Sequence, residues 1–69
     1  MELRYKANKI RDLVVYETGI VPVGIDIARH EVIIKIRGKE LQGEVSEDSI
    51  LKKLESIIPR KVVIEIVDD

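Results

Sequence analysis

A chain of 69 residues has room for one domain, so we treat residues 1–69 as a single small domain. The absence of cysteine excludes disulfides and thiolate metal sites, and a single histidine cannot build a zinc site. The net charge of −1 argues against a protein dedicated to nucleic acid or to a membrane surface.

The composition also bears on source and location. Charged residues make up 36% of the chain, side-chain amides occur only at Asn8 and Gln42, and nearly all apolar residues are branched aliphatics. This balance resembles that of thermophile proteins. No apolar run approaches the ~20 residues of a membrane span, and the N-terminus lacks the apolar centre of a signal peptide. With no cysteine present, we expect a cytoplasmic protein.

The first 19 residues allow two interpretations. The alternation over residues 2–7 is typical of a short strand. Asn8 can cap a helix over residues 8–18, and Gly19 can end that helix in the left-handed conformation. The apolar side of this helix would carry Ile10, Leu13 and Val14. Because residues 13–16 are mostly β-forming types, a strand is the alternative for this segment.

A hairpin is predicted over residues 23–37. Residues 23–27 alternate between aliphatic and small or polar side chains, as in a strand with one apolar face. A turn at residues 29–30 would bring this strand against the run 31–37, with the aliphatic side chains of both on one face. The expected cross-strand partners are Ile27 with Val32 and Ile25 with Ile34.

A second hairpin is predicted over residues 31–45. The run 31–37 alternates, and Gly38-Lys39 suits a two-residue type II′ turn because glycine accepts the backbone conformation of the first turn position. The strand 40–45 would then lie antiparallel to it, with all aliphatic positions on one face. The expected partners are Ile36 with Leu41, Ile34 with Gly43 and Val32 with Val45.

Residues 46–58 carry the signals of an amphipathic helix. Ser46 can serve as the N-cap, and Glu47 and Asp48 favour the positive end of the helix dipole. The aliphatic residues follow one stripe, made of Ile50, Leu51, Leu54, Ile57 and Ile58. Pro59 stops the helix.

The run 61–67 predicts a last strand. Its two faces are both aliphatic, which is typical of a strand inside a sheet rather than at its edge. Because a helix leads into it, we expect this strand to run parallel to strand 40–45 through a right-handed crossover.

Together these elements predict an α+β fold. We expect a two-layer sandwich in which a mostly antiparallel sheet of four or five strands carries one or two helices on one face. If residues 2–7 form a strand and residues 8–18 a helix, the order approaches a ferredoxin-like arrangement with an added strand. The expected core consists of Val23, Ile25, Ile27, Val32, Ile34, Ile36, Leu41, Val45, Ile50, Leu51, Leu54, Ile57, Ile58, Val62, Ile64 and Ile66.

Catalytic motifs are not evident in this sequence. Residues 38–43 have the GxxxxG spacing of a phosphate loop, but Glu44-Val45 replaces the Lys-Ser/Thr pair that such a loop requires. His30 lies in a predicted turn, and the sequence places no nucleophile beside it. We therefore assign no catalytic, cofactor-binding or metal-binding residue, and a small enzyme subunit is kept as the second alternative.

A basic cluster near the N-terminus makes nucleic-acid binding the first alternative. Its members are Arg4, Lys6, Lys9 and Arg11. Such a cluster would bind the phosphate backbone weakly and without base preference. The central predicted strands carry no aromatic side chain on which bases could stack.

The main interpretation is a small non-enzymatic interaction or oligomerisation module. The sheet face turned away from the helices would expose aliphatic residues that the core does not need: Ile33, Val63, Val67 and Ala28. The charges interspersed among them, which could pair across a two-fold axis, are Lys35, Arg37, Glu44 and Glu65. We expect the partner to be a second copy of the chain, in a homodimer or larger assembly. A different protein partner is the alternative, and no membrane is involved.

Overall fold

Two helices and three strands follow one another in the order α-β-β-α-β. A computed structural model describes residues 7–41 and 45–68. The elements are α1 (Ala7–Thr18), β1 (Gly24–Ile27), β2 (Glu31–Arg37), a 3₁₀ turn (Gly38–Glu40), α2 (Glu47–Glu55) and β3 (Lys61–Val67). The two-layer α+β class is as predicted. The described sheet has three strands and is mixed, so the predicted four or five mostly antiparallel strands are not confirmed.

The sheet has the order β1-β2-β3, with β2 in the middle. β1 and β2 are antiparallel, and the predicted register is confirmed, since Ile27 faces Val32 and Ile25 faces Ile34. The Ala28 N–H donates to the Glu31 carbonyl at 2.8 Å, which closes the turn at residues 29–30. Alternation along two neighbouring strands was thus enough to predict how they align.

The predicted second hairpin is wrong. Gly38–Glu40 forms a 3₁₀ turn in which the Leu41 N–H donates to the Gly38 carbonyl at 3.0 Å, so the chain leaves the sheet after β2. β2 pairs with β1 on one side and with β3 on the other, which leaves no edge for a strand over residues 40–45. The central residues of that predicted strand, 42–44, lie outside the described residues.

The last strand is parallel, but its neighbour is β2. Each residue of β3 from Lys61 to Val67 has a partner in β2 from Glu31 to Arg37. β3 therefore lies at the edge of the described sheet, although its sequence predicted an interior strand. Direct pairing of β2 with β3 also excludes the ferredoxin-like order, which needs another strand between them. The strand predicted over residues 2–7 lies outside the described residues, apart from Ala7, which begins α1.

The helix predicted over residues 8–18 is confirmed by α1 (Ala7–Thr18). Its end follows the predicted pattern, because Gly19 has φ +76° and its N–H donates to the Val15 carbonyl at 2.8 Å. The Thr18 hydroxyl donates to the Val14 carbonyl at 2.7 Å and accepts from the Ile20 N–H at 3.1 Å. Asn8 lies inside the helix and is not its cap.

The N-terminus of α2 is capped reciprocally. The Ser49 N–H donates to the Ser46 hydroxyl, and the Ser46 N–H donates to the Ser49 hydroxyl, both at 3.2 Å. α2 ends at Glu55, three residues before the predicted end, although the Ile58 N–H still donates to the Leu54 carbonyl at 2.8 Å. The following Pro59 has no N–H with which to continue the helix.

The core lies between one face of the sheet and the two helices. Its buried members are Ile10, Val14, Ile20, Val32, Ile34, Ile36, Ile50, Leu54, Ile58, Val62 and Ile64, and the half-buried Ile25, Leu41, Leu51 and Ile57 pack against them. Four residues predicted for the core are exposed instead: Val23, Ile27, Val45 and Ile66. They lie on the outer strands or in connections, where neighbours cover fewer sides. The helix α1 supplies Ile10 and Val14, which the predicted core omitted.

Candidate interaction surface

The sheet has one face that the described helices leave uncovered. Along β2, Val32, Ile34 and Ile36 are fully buried, whereas the alternate residues between them are half-buried. Since successive side chains of a strand point to opposite faces, the alternate set lies on the side away from α1 and α2. We call this side the open face. Its described residues are Gly24, Asp26, Glu31, Ile33, Lys35, Arg37, Lys61, Val63, Glu65 and Val67.

The centre of the open face is aliphatic. Ile33 of β2 lies directly beside Val63 of β3, and both are half-buried. Val67 lies beside Arg37 at the far end of the same two strands. Three of the four residues predicted for an interface are thus on one face. Ala28 is placed differently, in the turn after β1, where its backbone makes two hydrogen bonds.

Charges of both signs form a row next to this aliphatic centre. The Lys35 ammonium lies 3.1 Å from the Asp26 carboxylate on β1, and Glu65 is the β3 partner of Lys35. The hydrogen bond and attraction from Asp26, helped by Glu65, raise the pKa of Lys35 above its ordinary value of 10.5. The side chains of Lys35 and Asp26 are 35% and 61% exposed, so this ion pair contributes little to stability but orients the lysine.

The stem of Lys35 lies beside Gly24 of β1. A Cβ at Gly24 would be 3.5 Å from Cδ of Lys35, which is ordinary van der Waals contact, so this position does not require glycine. The aliphatic stem of the lysine covers the strand while its ammonium reaches Asp26.

A basic end of the sheet was not foreseen from the sequence. The Arg60 guanidinium donates to the Ala28 carbonyl at 2.7 Å and so ties the approach to β3 to the β1–β2 turn. This contact brings Arg29 and His30 of the turn close to Arg60 and Lys61. The two segments are separated by about thirty residues, and only the direct pairing of β2 with β3 brings them together.

The basic cluster proposed for nucleic acid is described in part. Lys9 and Arg11 are exposed on α1, while Arg4 and Lys6 lie outside the described residues. The Arg11 guanidinium is 3.8 Å from the Asp12 carboxylate, and both side chains are largely exposed, which makes this a weak ion pair.

The described residues show no candidate metal site. Within residues 7–41 and 45–68, no three His, Cys, Asp or Glu side chains are grouped so as to hold a metal ion. His30 is exposed in the β1–β2 turn. A hollow of about 680 Å³ runs beside α1, but its described lining comes from that helix alone, from Asn8, Lys9, Asp12, Leu13 and Tyr16.

Comparisons of the chain with protein-family models, curated proteins and solved structures found no match. Neither α1 nor α2, the two helices of the described chain, has the length and apolar character needed to cross a bilayer.

Proposed function

We propose that this chain is a non-enzymatic, cytoplasmic interaction module that binds a second copy of itself through the open face. The observation that carries the proposal is the adjacency of Ile33 and Val63 at the centre of a sheet face that no described helix covers. Charges of both signs border this centre, at Asp26, Lys35 and Glu65.

The physical argument combines burial with charge. Half-exposed aliphatic side chains gain about 25 cal/mol for each Å² removed from water, so covering Ile33 and Val63 favours association. A two-fold axis places each residue of a patch near its counterparts in the second copy, which allows acidic and basic residues on one face to pair. A domain of 69 residues buries a modest core and has a small free energy of unfolding, so burial against a partner adds to its stability.

Sedimentation equilibrium tests this proposal. The wild type should be larger than a monomer at high micromolar concentration, and Ile33→Lys combined with Val63→Lys should return it to a monomer. Tyr16→Lys combined with Val21→Lys is the matched control, because these two residues are 84% and 62% exposed and lie outside the strands, in α1 and in the connection to β1. The control should sediment as the wild type does. A wild type that is monomeric under these conditions would remove the proposal.

Nucleic-acid binding is the alternative function. Its supporting observation is the exposure of Lys9 and Arg11 on one helix, since exposed cations on a shared element can contact phosphates. The small-enzyme alternative has no supporting observation among the described residues.

A further inference from the structure

Apart from the charges of Lys61 and Glu65, the outer edge of β3 has none of the features with which proteins protect an exposed strand. Edge strands are commonly short, bulged or interrupted by proline. β1 is short, with four residues, whereas β3 has seven, contains neither glycine nor proline, and pairs with β2 residue by residue without a bulge. At this edge Ile66 is 39% exposed even though it belongs to the helix-covered face. β3 is therefore the described strand best suited to accept another strand.

The charges on β3 select one way for two copies to pair. Suppose that two β3 strands pair antiparallel about a two-fold axis perpendicular to the sheet, so that the open faces of both copies lie on one side of the joined sheet. Residues directly opposite each other must point to the same side of the sheet. One residue of β3 therefore lies opposite its own counterpart, and the axis passes between these two residues. An axis at Glu65 would place the two Glu65 carboxylates opposite each other, where they repel. An axis at Ile64 would place Val63 opposite Glu65, which pairs an aliphatic side chain with a charge. An axis through Val63 places Val63 against Val63 and Lys61 against Glu65, twice.

We propose that two copies join edge to edge through β3 in this register, with Val63 on the two-fold axis, and form one continuous sheet. This inference rests on the proposed function, because it specifies how self-association is built. The main-chain hydrogen bonds between the two β3 strands provide attraction, and the Lys61–Glu65 pairs provide the register.

The joined sheet extends the pattern of the open face. One row across both copies reads Asp26, Ile33, Val63, then Val63, Ile33 and Asp26 of the second copy. The next row reads Lys35, Glu65, then Lys61 and Glu31 of the second copy, with the sign of the charge alternating at every step. Between its two Asp26 ends the first row is a continuous aliphatic strip, and in the second row each charge has a neighbour of opposite sign.

The size of the open face gives a second reason for joining. Two strands of seven residues and one of four, spaced ~4.8 Å apart with a rise of ~3.3 Å per residue, cover about 300 Å² of footprint. A stable protein interface takes about 800 Å² of accessible surface from each partner, so a single open face is small for this purpose. Joining two copies through β3 doubles the footprint. Two joined pairs stacked through their open faces would form a tetramer with dihedral symmetry.

Charge reversal tests the edge contact. Glu65→Lys alone or Lys61→Glu alone would place like charges opposite each other at both symmetric positions. Each single variant should raise the dissociation constant at least tenfold by sedimentation equilibrium. The double variant should restore it to within about threefold of the wild-type value, because opposite charges again face each other.

The rescue cannot come from within one chain. In the double variant the introduced lysine lies beside Lys35 and the introduced glutamate lies beside Glu31, so both contacts inside the protomer become repulsive. Circular dichroism on all variants checks that the fold is retained. A double variant that associates as weakly as the singles, or singles that associate as the wild type does, would overturn the edge pairing.

A separate variant distinguishes this inference from the proposed function. Ile33→Lys changes the open face but lies one strand away from the β3 edge, so it should convert the tetramer to the edge-joined dimer. If Ile33→Lys dissociates the protein but charge reversal has no effect, the open face alone mediates association and the edge inference fails. If charge reversal acts as described and Ile33→Lys has no effect, the open-face proposal fails. A monomeric wild type, as expected if β3 instead accepts a different protein or the chain's own residues 1–6, overturns the edge pairing.

Discussion

Leu54 lies at the centre of the core, where α2 packs on the sheet. Its side chain is fully buried, and its carbonyl accepts the hydrogen bonds that close the end of the helix from Ile57 and Ile58. It belongs to one buried cluster with residues of α1, β2 and β3, which are distant in sequence. A cavity at this position would not be filled readily, because close-packed elements relax only in part around a deleted side chain.

We expect Leu54→Ala to lower the free energy of unfolding by about 2–5 kcal/mol. Leu51→Ala is the matched control on the same helix, and because Leu51 is only half-buried its cost should stay below about 2 kcal/mol. Urea denaturation at one fixed protein concentration measures both, since association would shift the midpoints. A loss below about 1 kcal/mol for Leu54→Ala would mean that this helix face is assigned wrongly.

At the scale of single elements, the ends of the helices are set by local chemistry. α1 ends where Gly19 adopts a positive φ, and α2 begins where Ser46 and Ser49 satisfy each other's backbone N–H groups. Glu47 and Asp48 lie in the first turn of α2, and Lys52 and Lys53 lie in its last turn. The charges at both ends therefore interact favourably with the helix dipole. These features depend on neighbours within four residues, which explains why the sequence predicts them.

The cap of α2 can be tested by Ser46→Ala. The substitution leaves the Ser49 N–H without its acceptor, and we expect a loss of about 1 kcal/mol in the free energy of unfolding. Ser56→Ala is the control, because the Ser56 hydroxyl donates to the Lys53 carbonyl at the other end of α2 and accepts no N–H of the first helical turn. Thermal denaturation followed by circular dichroism should show a lower melting temperature for the first variant only. Equal effects would assign no special role to the cap.

At the scale of the whole molecule, function depends on which surfaces the fold leaves uncovered. The helices cover one face of the sheet, and the described strands leave the open face and the outer edge of β3 exposed. The described cations of the N-terminal basic cluster, Lys9 and Arg11, lie on α1 instead. Protein and nucleic-acid partners would thus use different parts of the surface, and each can be disrupted without the other.

Any nucleic-acid binding should be weak and salt-sensitive. Four phosphate contacts, from Arg4, Lys6, Lys9 and Arg11, predict a loss of affinity of roughly a hundredfold between about 50 and 200 mM salt. Fluorescence anisotropy with labelled duplexes of different sequence measures this. Lys9→Ala with Arg11→Ala should weaken binding, and Lys52→Ala with Lys53→Ala, on the exposed side of α2, is the matched control. Binding that persists at high salt or strongly prefers one sequence would contradict this reading.

The sequence by itself determined the elements whose signals are local. The α2 cap and stripe, the end of α1 at Gly19 and the alignment of Ile25 and Ile27 with their β2 partners were all predicted and are present. Each depends on residues close together along the chain, where helix periodicity, strand alternation and turn geometry act directly. The placement of Ile33 and Val63 on the face away from the helices also follows from strand alternation.

Only the tertiary structure decided how the strands are ordered. The run 40–45 and β3 both suited the free edge of β2, and alternation does not distinguish an adjacent antiparallel strand from a distant parallel one. β3 takes that edge, with aliphatic residues on both faces and a helix that packs against it. This choice made β3 an edge strand, set Ile33 beside Val63, and brought Arg60 to Ala28. The order of the strands depends on which contacts between distant residues are more stable, and the local sequence pattern does not show this.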